Sequence, residues 1–563
     1  MEYKWTVLTN TTLGILMAMI NSTVLIISLP AIFRGIGLNP LAPSSFDYLL
    51  WLLMGYGVVS SSLVVSFGRL SDMYGRVRLY RLGFLIFTIG SVLLSVAPGR
   101  GTTAAAELIA FRMVQGAGAA MLMANSAALI TDAFPLGERG RALGLQQVAG
   151  MIGNVLGLII GGVLATFNWR LVFIVSVPFG VAGTAWAYLK LRELRQPAGA
   201  EKVDVVGNVL FSGGIIALLA GVTYALEPYA GQPMGWGSPR VIALMSLGAA
   251  MLSVFPLVEM RVQYPMFDLK LFRIRQFAAG VLAALLAGLA LGGLMITLTV
   301  LLQGIWLPLH GYSFESTPFW AGIYLLPMMA GFVALGPLSG ALSDRYGARL
   351  LATLGMLVVL AALLGMASLP YDFAYATFAL LVFVAGAGNG MFVAPNTASI
   401  MNSVPPERRG VASGMRSVMT SMANTVSIAL YFSILLSGFE SGLPHALYTS
   451  LMAAGFPQQV AEEVARMPPT AALFAAFLGY NPMKVVLESL GSYGAALARA
   501  DPSGVSEVLS NTWFPRVIAP PFMEGFRLTL AVSAGLVVAA AVASALRGRH
   551  AVHERAAQTV TPA

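Results

Sequence analysis

The chain has 563 residues, of which 57% are hydrophobic and 10% charged, and its mean hydropathy is +0.79. Soluble globular proteins carry roughly 45–50% apolar and 25% charged residues, so this chain has too little charge to cover a folded surface in water. The composition excludes a soluble enzyme, a nucleic-acid-binding protein and a disordered protein, and it predicts a polytopic membrane protein. With no Cys and only 4 His, the chain lacks thiol chemistry and has little from which to build a metal site.

Fourteen stretches are long and apolar enough to cross a membrane, because a helix needs about 20 mostly apolar residues to span the hydrocarbon core. A spanning segment must satisfy its own backbone hydrogen bonds, so these stretches are expected to be helices. We number them spans 1 to 14 in chain order. They cover residues 5–30, 47–69, 79–98, 102–131, 141–165, 170–191, 205–226, 239–260, 277–303, 318–340, 349–369, 374–400, 409–436 and 525–546.

The basic residues are distributed unevenly between the two sets of connecting loops. Fourteen spans place both termini on one side, and the loops of that side hold 23 of the 33 Lys and Arg residues. Because cytoplasmic loops carry an excess of Lys and Arg, we expect both termini in the cytoplasm and the protein in the plasma membrane. The net charge of +9 then reflects membrane topology and not nucleic-acid binding.

Three short segments recur in the same order later in the chain, at offsets of 272, 270 and 270 residues. The pairs are GRLSDMYG at 68–75 and GALSDRYG at 340–347, GAG at 116–118 and 386–388, and RG at 139–140 and 409–410. This duplication predicts an all-α membrane protein with two six-helix halves, spans 1–6 and 9–14, and an extra central pair, spans 7 and 8. Parallel repeats of this kind place a substrate cavity at their interface near the bilayer midplane.

The predicted organisation has six parts. They are the first half (1–200), the two additional spans (201–275), the first five spans of the second half (276–436), an extracytoplasmic helical insertion (437–524), the final span (525–547) and a cytoplasmic tail (548–563). In the insertion, residues 458–466 and 483–497 have the pattern of amphipathic helices. We expect them to form a small cap over the outer vestibule.

Several motifs occur in a fixed order along the chain. They are GRLSDMYGRVR at 68–78, FRMVQG at 111–116, the glycines Gly144, Gly153, Gly157 and Gly161 in span 5, and the segments 169–178, 204–207 and 265–272 around the additional spans. Together they resemble the major facilitator superfamily, specifically its fourteen-span drug/proton antiporter branch. The resemblance covers most of the chain except 437–524, and it implies a transporter that alternates between inward-facing and outward-facing states.

The resemblance also implies roles for residues of the two repeated loops and of span 5. The loops would gate the two halves, through Gly68, Asp72, Gly75 and Arg76 in the first copy and Gly340, Asp344 and Gly347 in the second. The alternative is that each aspartate is only a turn residue between glycines. The four span 5 glycines would permit a rocking contact, or would serve close packing alone. Leu158 stands where the family has a proline.

Coupling of transport to protons is expected around Arg112 in span 4. A buried arginine is costly in a membrane and needs a partner or a water-filled cavity, and Asn21, Gln115 and Asn154 are the polar candidates. A structural arginine that caps free carbonyls is the alternative. Relatives usually have an aspartate where this chain has Asn21, and asparagine cannot carry a proton.

Glu107 is a possible replacement for the missing proton carrier. Five helical residues turn about 500°, which leaves Glu107 about 140° from Arg112 around span 4. A carboxylate so close to the start of a helix also suits the helix dipole.

The leading hypothesis is a secondary transporter that exports hydrophobic or cationic small molecules by proton antiport with rocker-switch alternating access. We expect it to work as a monomer, with protons and a small-molecule substrate as partners and the proton gradient in place of a cofactor. A facilitator or uptake carrier for a specific metabolite is the alternative, and a non-transporting sensor is a third. No Walker loop or catalytic spacing is present, so neither ATP-driven transport nor an enzyme is expected.

Overall fold

A computed structural model describes residues 2–38, 45–135, 138–194, 204–225, 229–230, 235–262, 267, 269–314, 316–405, 409–477, 481–484, 487 and 502–548. Within these ranges the regular structure is helical, with no β-strand. Fourteen helices are long and apolar enough to cross a membrane. The predicted all-α architecture with 14 spans is confirmed.

Each helix overlaps one of the predicted stretches. Spans 1 to 14 are Tyr3–Ile36, Ser45–Tyr74, Arg76–Val96, Gly101–Ala133, Arg139–Phe167, Leu171–Lys190, Val205–Ala225, Pro239–Glu259, Arg275–Leu309, Thr317–Tyr324 with Leu326–Tyr346, Ala348–Ala367, Tyr375–Asn402, Arg409–Ala453 and Trp513–Ala545.

Three spans contain local interruptions. Span 6 divides at Val175 and span 10 at Leu325. Span 9 is interrupted at Gly292 and Gly293 and then contains a π-helical turn, Leu302–Trp306. A side chain at Gly293 would place its Cβ 2.7 Å from a carbonyl oxygen of span 13, so this interruption lies at a close helix contact. π-helical turns are frequently found at functional sites.

The two halves use equivalent helix pairs, as the duplication predicts. In the first half span 1 packs on span 5, span 2 on span 4, and span 3 on spans 4 and 6. In the second half span 9 packs on span 13, span 10 on span 12, and span 11 on spans 12 and 14. The halves meet where span 2 packs on span 13 and span 5 on span 10, while spans 7 and 8 pair with each other.

Spans 13 and 14 are longer than predicted. The helix of span 13 continues through Pro444 to Ala453, and that of span 14 begins at Trp513 and contains Pro520 and Pro521. The prolines predict helix breaks at these places, but both helices continue through them. The extended parts of spans 13 and 14 pack closely against each other, which stabilises the helical conformation. At Gly438 an added Cβ would lie 2.4 Å from the Cα of the opposite helix, so glycine allows this approach.

Two short helices of the 437–524 segment pack on span 13. Helix Gln458–Ala465 occupies one of the predicted amphipathic stretches and buries its apolar face against span 13. Helix Pro469–Phe477 contacts span 2 of the first half and spans 9 and 13 of the second. A third helix, Pro502–Val508, precedes span 14. Most of the second predicted amphipathic stretch, 483–497, lies outside the described residues.

Candidate functional site

Arg112 lies in the interior of the first half, where only 1% of its surface is exposed. Its Nη1 donates hydrogen bonds to the main-chain carbonyl oxygen of Asn21 at 3.1 Å and to Oε1 of Gln115 at 2.8 Å. The guanidinium carbon also lies 4.5 Å from the ring centre of Tyr56. Spans 1, 2 and 4 together therefore supply the partners that the sequence required for this charge.

Asn21 and Gln115 extend this contact into a network across four spans. Gln115 Nε2 donates to Asn21 Oδ1 at 3.0 Å and to Ser91 Oγ at 2.9 Å. Asn21 Nδ2 donates to the carbonyl oxygen of Met17 at 3.0 Å and to Ser176 Oγ at 2.7 Å. The network thus joins spans 1, 3, 4 and 6 around one buried cation, which we call the arginine centre.

The arginine centre holds a positive charge that no acid among the described residues neutralises. Among the described residues Arg112 forms no ion pair, and its Nε has no hydrogen-bond partner. Carbonyl oxygen, amide oxygen and the face of an aromatic ring stabilise the charge instead. Because electrostatic interactions are strong in a low-dielectric interior, a second positive charge nearby would be disfavoured.

Asn154, the third polar candidate, and Glu107 form their described hydrogen bonds with groups other than Arg112. Asn154 uses its main-chain carbonyl oxygen to accept a hydrogen bond from Thr23 Oγ1 at 3.0 Å. Glu107 Oε2 accepts a hydrogen bond from the amide of Gly99 at 3.1 Å, in the turn that precedes span 4. This position near the start of span 4 suits a carboxylate that stabilises the helix terminus, which is the alternative to a proton-carrying role for Glu107.

The two repeated loops have the same backbone geometry. Gly75 has a φ of +106° and Gly347 a φ of +85°, values that L-residues with side chains rarely adopt. Each glycine donates its amide hydrogen to a serine carbonyl four residues earlier, Ser71 or Ser343, at 2.9 Å. These glycines therefore make the tight corner between consecutive spans in both halves.

The two aspartates of these loops have a described backbone but not a described side chain. Asp72 and Asp344 both lie in the last turns of their helices. Their side-chain contacts fall outside the described part of the structure, so the gating role stays a prediction. Gly68 and Gly340 accept hydrogen bonds at their carbonyl oxygens from Ser71 and Ser343, both at 2.6 Å.

Arg76 anchors the first loop through an ion pair that sequence reasoning missed. Its Nη1 contacts both carboxylate oxygens of Asp132, at 2.9 and 2.8 Å. Glu193 caps the start of span 3 by accepting hydrogen bonds from the amides of Arg76 and Val77 at 2.9 and 3.0 Å. An acid near the end of an apolar span was the available signal for Asp132.

The residues at the repeat offsets of the second half cannot form this ion pair. At the repeat offsets, Ala348 stands in the place of Arg76 and Asn402 in the place of Asp132. The duplicated loops therefore share their backbone but not their electrostatic anchor.

Three of the four predicted span 5 glycines face span 1 at close range. A Cβ at Gly153, Gly157 or Gly161 would lie 2.7–2.8 Å from a carbonyl oxygen of span 1. At Gly144 an added Cβ would meet no described neighbour within 4 Å. The close contact is thus limited to the middle and end of span 5.

Span 5 also approaches the opposite half closely. An added Cβ at Gly162 would lie 2.6 Å from Cα of Phe319 in span 10, and one at Gly322 would lie 3.1 Å from the carbonyl oxygen of Leu158. Sequence reasoning missed both glycines, although small residues on a helix face are the expected signal for such an approach.

A second buried arginine, Arg547, lies at the end of span 14. It is 2% exposed and donates from Nη2 to Oδ1 of Asn396 in span 12. Burial lowers the pKa of its guanidinium to about 10, so the group remains charged at neutral pH. Its position after the last span gave no sign of this burial in the sequence.

Twelve apolar helices in two equivalent halves, a further pair of helices and a polar centre buried in the first half define a multi-pass membrane protein of the transporter class. The profile described as Major Facilitator Superfamily matches residues 11–428, and the chain belongs to this family. The predicted family, and the prediction that the protein is a transporter and not an enzyme, are confirmed.

Several characterised relatives are transporters or resistance proteins. The chain is 30% identical to the multidrug resistance protein Stp of Mycobacterium tuberculosis, over 77% of this chain and 76% of that protein. It is 28% identical to the tetracenomycin C resistance and export protein of Streptomyces glaucescens, over 83% and 84%. It is 29% identical to the riboflavin transporter RibZ of Clostridioides difficile, over 77% and 88%.

Solved structures share the fold at low sequence identity. A bacterial homologue of the human lysosomal transporter Spinster, in an inward-facing and unoccupied conformation, aligns with a TM-score of 0.55 at 16% identity over 97% of both chains. Its inward-facing and occupied conformation gives a TM-score of 0.54.

Proposed function

We propose that the protein exports hydrophobic or cationic small molecules across the plasma membrane in exchange for protons. Several relatives at about 30% identity carry names that refer to drug or antibiotic resistance, which supports export of such compounds. We also propose that it works as a monomer. Both termini would lie in the cytoplasm, an orientation that the distribution of basic residues supports.

The observation that carries the proposal is the buried charge of Arg112, which pairs with no acid in the part of the chain that the structure describes. A fixed positive charge in the interior disfavours the simultaneous binding of a proton and a cationic substrate. Each of the two ligands adds a positive charge to the same region of low dielectric. If the proton favours one state and the substrate the other, the proton gradient drives the rocking of the two halves. In this proposal the arginine centre selects between the two ligands.

Proton transport requires a group that binds and releases a proton near neutral pH, and the described side chains of the arginine centre include no carboxylate or histidine that could do so. Asn21 cannot titrate, so the acid must come from elsewhere, and we propose Glu107 in span 4 as the group to test. The close contact of Gly153, Gly157 and Gly161 with span 1 supports a second part of the mechanism, in which spans 1 and 5 move as one tightly packed pair.

Proteoliposomes with an imposed pH gradient and a lipophilic cationic dye test this proposal. We expect gradient-driven dye movement in the native protein, its loss in Arg112→Ala and its strong reduction in Glu107→Gln. Arg100→Ala is the matched control, because Arg100 is an exposed arginine at the start of the same helix. Dye movement that ignores the gradient, or that survives Arg112→Ala, would contradict proton antiport through this centre.

A facilitator or uptake carrier for a specific metabolite is the second candidate. The observation that favours it is the amide at Asn21, which leaves the arginine centre without an acid, and a relative named as a riboflavin transporter supports it. Riboflavin uptake into the same liposomes, with and without a pH gradient, distinguishes the two functions. Equal uptake under both conditions together with no movement of the cationic dye would favour the facilitator.

A further inference from the structure

His310 follows the last turn of span 9, and both nitrogens of its ring face oxygen atoms. Nδ1 lies 2.8 Å from the main-chain carbonyl oxygen of Trp306. Nε2 lies 3.4 Å from Oδ1 of Asp372, in the loop between spans 11 and 12. The imidazole also stacks on the indole of Trp306, with ring centres 3.8 Å apart and an interplanar angle of 21°.

The two oxygen atoms place different demands on the ring of His310. A carbonyl oxygen can only accept a hydrogen bond, so Nδ1 must carry a hydrogen. In the neutral ring Nε2 then has a lone pair, which faces the carboxylate of Asp372 and cannot bond to it. A proton on Nε2 makes this contact an ion pair and places a positive charge over the indole face, which attracts cations. Protonation therefore improves both contacts of the ring.

A second contact holds the same loop whatever the charge of His310. Trp306 Nε1 donates to the carbonyl oxygen of Phe373 at 3.0 Å, and the two rings stack with centres 5.5 Å apart. Trp306 is 5% exposed and Phe373 2%, whereas the side chains of His310 and Asp372 are 34% and 67% exposed. The end of span 9 thus binds two consecutive loop residues, one through a buried contact and one through a contact that water reaches.

The other described titratable groups around His310 keep their charge state near neutral pH. Three phenols contact Trp306 directly or through one another: Tyr312, Tyr324 and Tyr375. Phenols ionise at about pH 10, whereas histidine changes its charge between about pH 5 and 8. Arg527 of span 14 donates to a main-chain carbonyl at the end of span 11 at 3.2 Å, and a guanidinium stays charged. Glu315 lies outside the described residues, so a variant of it belongs in the test.

We infer that His310 is a proton-binding site whose protonation fastens the loop between spans 11 and 12 to the end of span 9. In acidic solution Nδ1 donates to span 9 and Nε2 donates to Asp372, so two contacts hold the loop. In alkaline solution only the contacts of Trp306 with Phe373 remain, and the loop gains freedom at Asp372. The inference rests on the proposed function only for orientation, which places this site outside the cell, where it responds to external pH.

Solid-state ¹⁵N NMR of the histidine-labelled full-length protein in lipid nanodiscs tests the position of the proton. The chain has 4 His, and His310→Gln identifies the signal of this ring. We expect a hydrogen on Nδ1 alone at pH 8.5 and on both nitrogens at pH 5. A ring with its hydrogen on Nε2 alone at pH 8.5 would overturn the inference.

A nitroxide label tests the attachment of the loop. The chain has no Cys, so Ala374→Cys gives a single labelling position at an exposed residue close to Asp372. We expect the label to rotate at least twofold more slowly at pH 5.5 than at pH 8.5. In Asp372→Asn and in His310→Gln it should move equally fast at both pH values, at the rate that the native loop shows at pH 8.5.

Two matched controls should keep the native pH response of the label. His445→Gln changes an exposed histidine in the extension of span 13, and Glu315→Gln removes the acid that lies outside the described residues. A label whose motion ignores pH would overturn the inference, and so would a response that survives Asp372→Asn or is lost in Glu315→Gln. Neither measurement uses transport, so failure of the antiport proposal would leave both results unchanged.

Discussion

Arg112 of span 4 donates a hydrogen bond to the main-chain carbonyl oxygen of Asn21 in span 1, over 3.1 Å. The buried charge is thus attached to the backbone of span 1 and not to the side chain at position 21. That side chain contacts Gln115, Ser176 and the carbonyl of Met17 instead. Position 21 can therefore change its chemistry while the anchor of the arginine remains.

Asn21→Asp is expected to make transport more strongly pH-dependent. The new carboxylate would still accept the hydrogen bond from Gln115, and Ser176 can turn its hydroxyl to donate. The oxygen that replaces Nδ2 would face the carbonyl oxygen of Met17 at about 3.0 Å. Only the protonated acid can donate to that carbonyl, while the ionised form pairs with the charge of Arg112, so the two forms favour different contacts.

Dye transport measured from pH 5.5 to pH 8.5 in proteoliposomes checks this prediction. Asn21→Leu serves as the control, because it removes the amide without adding an acid. Identical pH profiles for the native protein and Asn21→Asp would show that position 21 takes no part in coupling.

Gly157→Ala is expected to destabilise the protein by about 1–3 kcal/mol, the usual cost of overpacking a tight interior. The new methyl group would lie 2.1 Å from Thr23 Oγ1 and 2.7 Å from the carbonyl oxygen of Ile20. The hydroxyl can move, but the backbone carbonyl of span 1 cannot do so without separating the helices. Thermal unfolding in detergent measures the change.

Gly144→Ala is the matched control for this substitution. It changes a glycine of the same helix at a place where the added Cβ meets no described neighbour within 4 Å. Alanine is also the better helix former, so we expect its melting temperature to be equal or higher. A similar loss of stability in both variants would contradict the close-contact explanation.

The ion pair between Arg76 and Asp132 is expected to stabilise the first loop. Asp132→Asn keeps the shape of the side chain but removes a charge that receives two contacts from Arg76 Nη1. Hydrogen bonds to charged groups contribute roughly 1.5–3 kcal/mol to the free energy of unfolding. We therefore expect Asp132→Asn to lose stability in that range and to transport more slowly.

A charge-swapped double variant, Arg76→Asp with Asp132→Arg, forms a double-mutant cycle with its own two single variants, Arg76→Asp and Asp132→Arg. The double variant should recover part of the stability that each single variant loses. Additive losses would mean that the two side chains act independently. Asn402→Asp in the second half adds the acid without its arginine, since Ala348 replaces Arg76 there, and should bring no gain in stability.

Gln303→Leu is expected to raise the melting temperature. Gln303 is 0% exposed in the π-helical turn of span 9, and neither of its side-chain polar atoms has a hydrogen-bond partner among the described residues. An unsatisfied buried polar group costs about 1–3 kcal/mol, which an apolar side chain of similar size avoids. A fall in melting temperature would contradict this, and transport by the variant shows whether the amide serves function instead.

The 14 spans, the duplication and the family could all be predicted from the amino-acid sequence alone. Apolar length sets a membrane helix almost independently of its neighbours, because the bilayer is the solvent for each segment. The motif at 68–75 and its copy at 340–347 then show which spans of the two halves correspond. Arg112 was recognisable from sequence for the same reason, since a charge within an apolar span stands out and must find a partner.

Which residues those partners are could not be predicted from the sequence, because it depends on how the helices pack. The selection of Asn21 and Gln115 over Asn154, the pairing of Arg76 with Asp132 and the burial of Arg547 depend on how each helix is rotated about its axis. The span 5 glycines look alike in sequence, yet Gly157 meets span 1 and Gly144 meets nothing described within 4 Å. Helix rotation is set by packing against neighbours far away in the chain, and hydrophobicity that surrounds a helix on all sides carries no record of it.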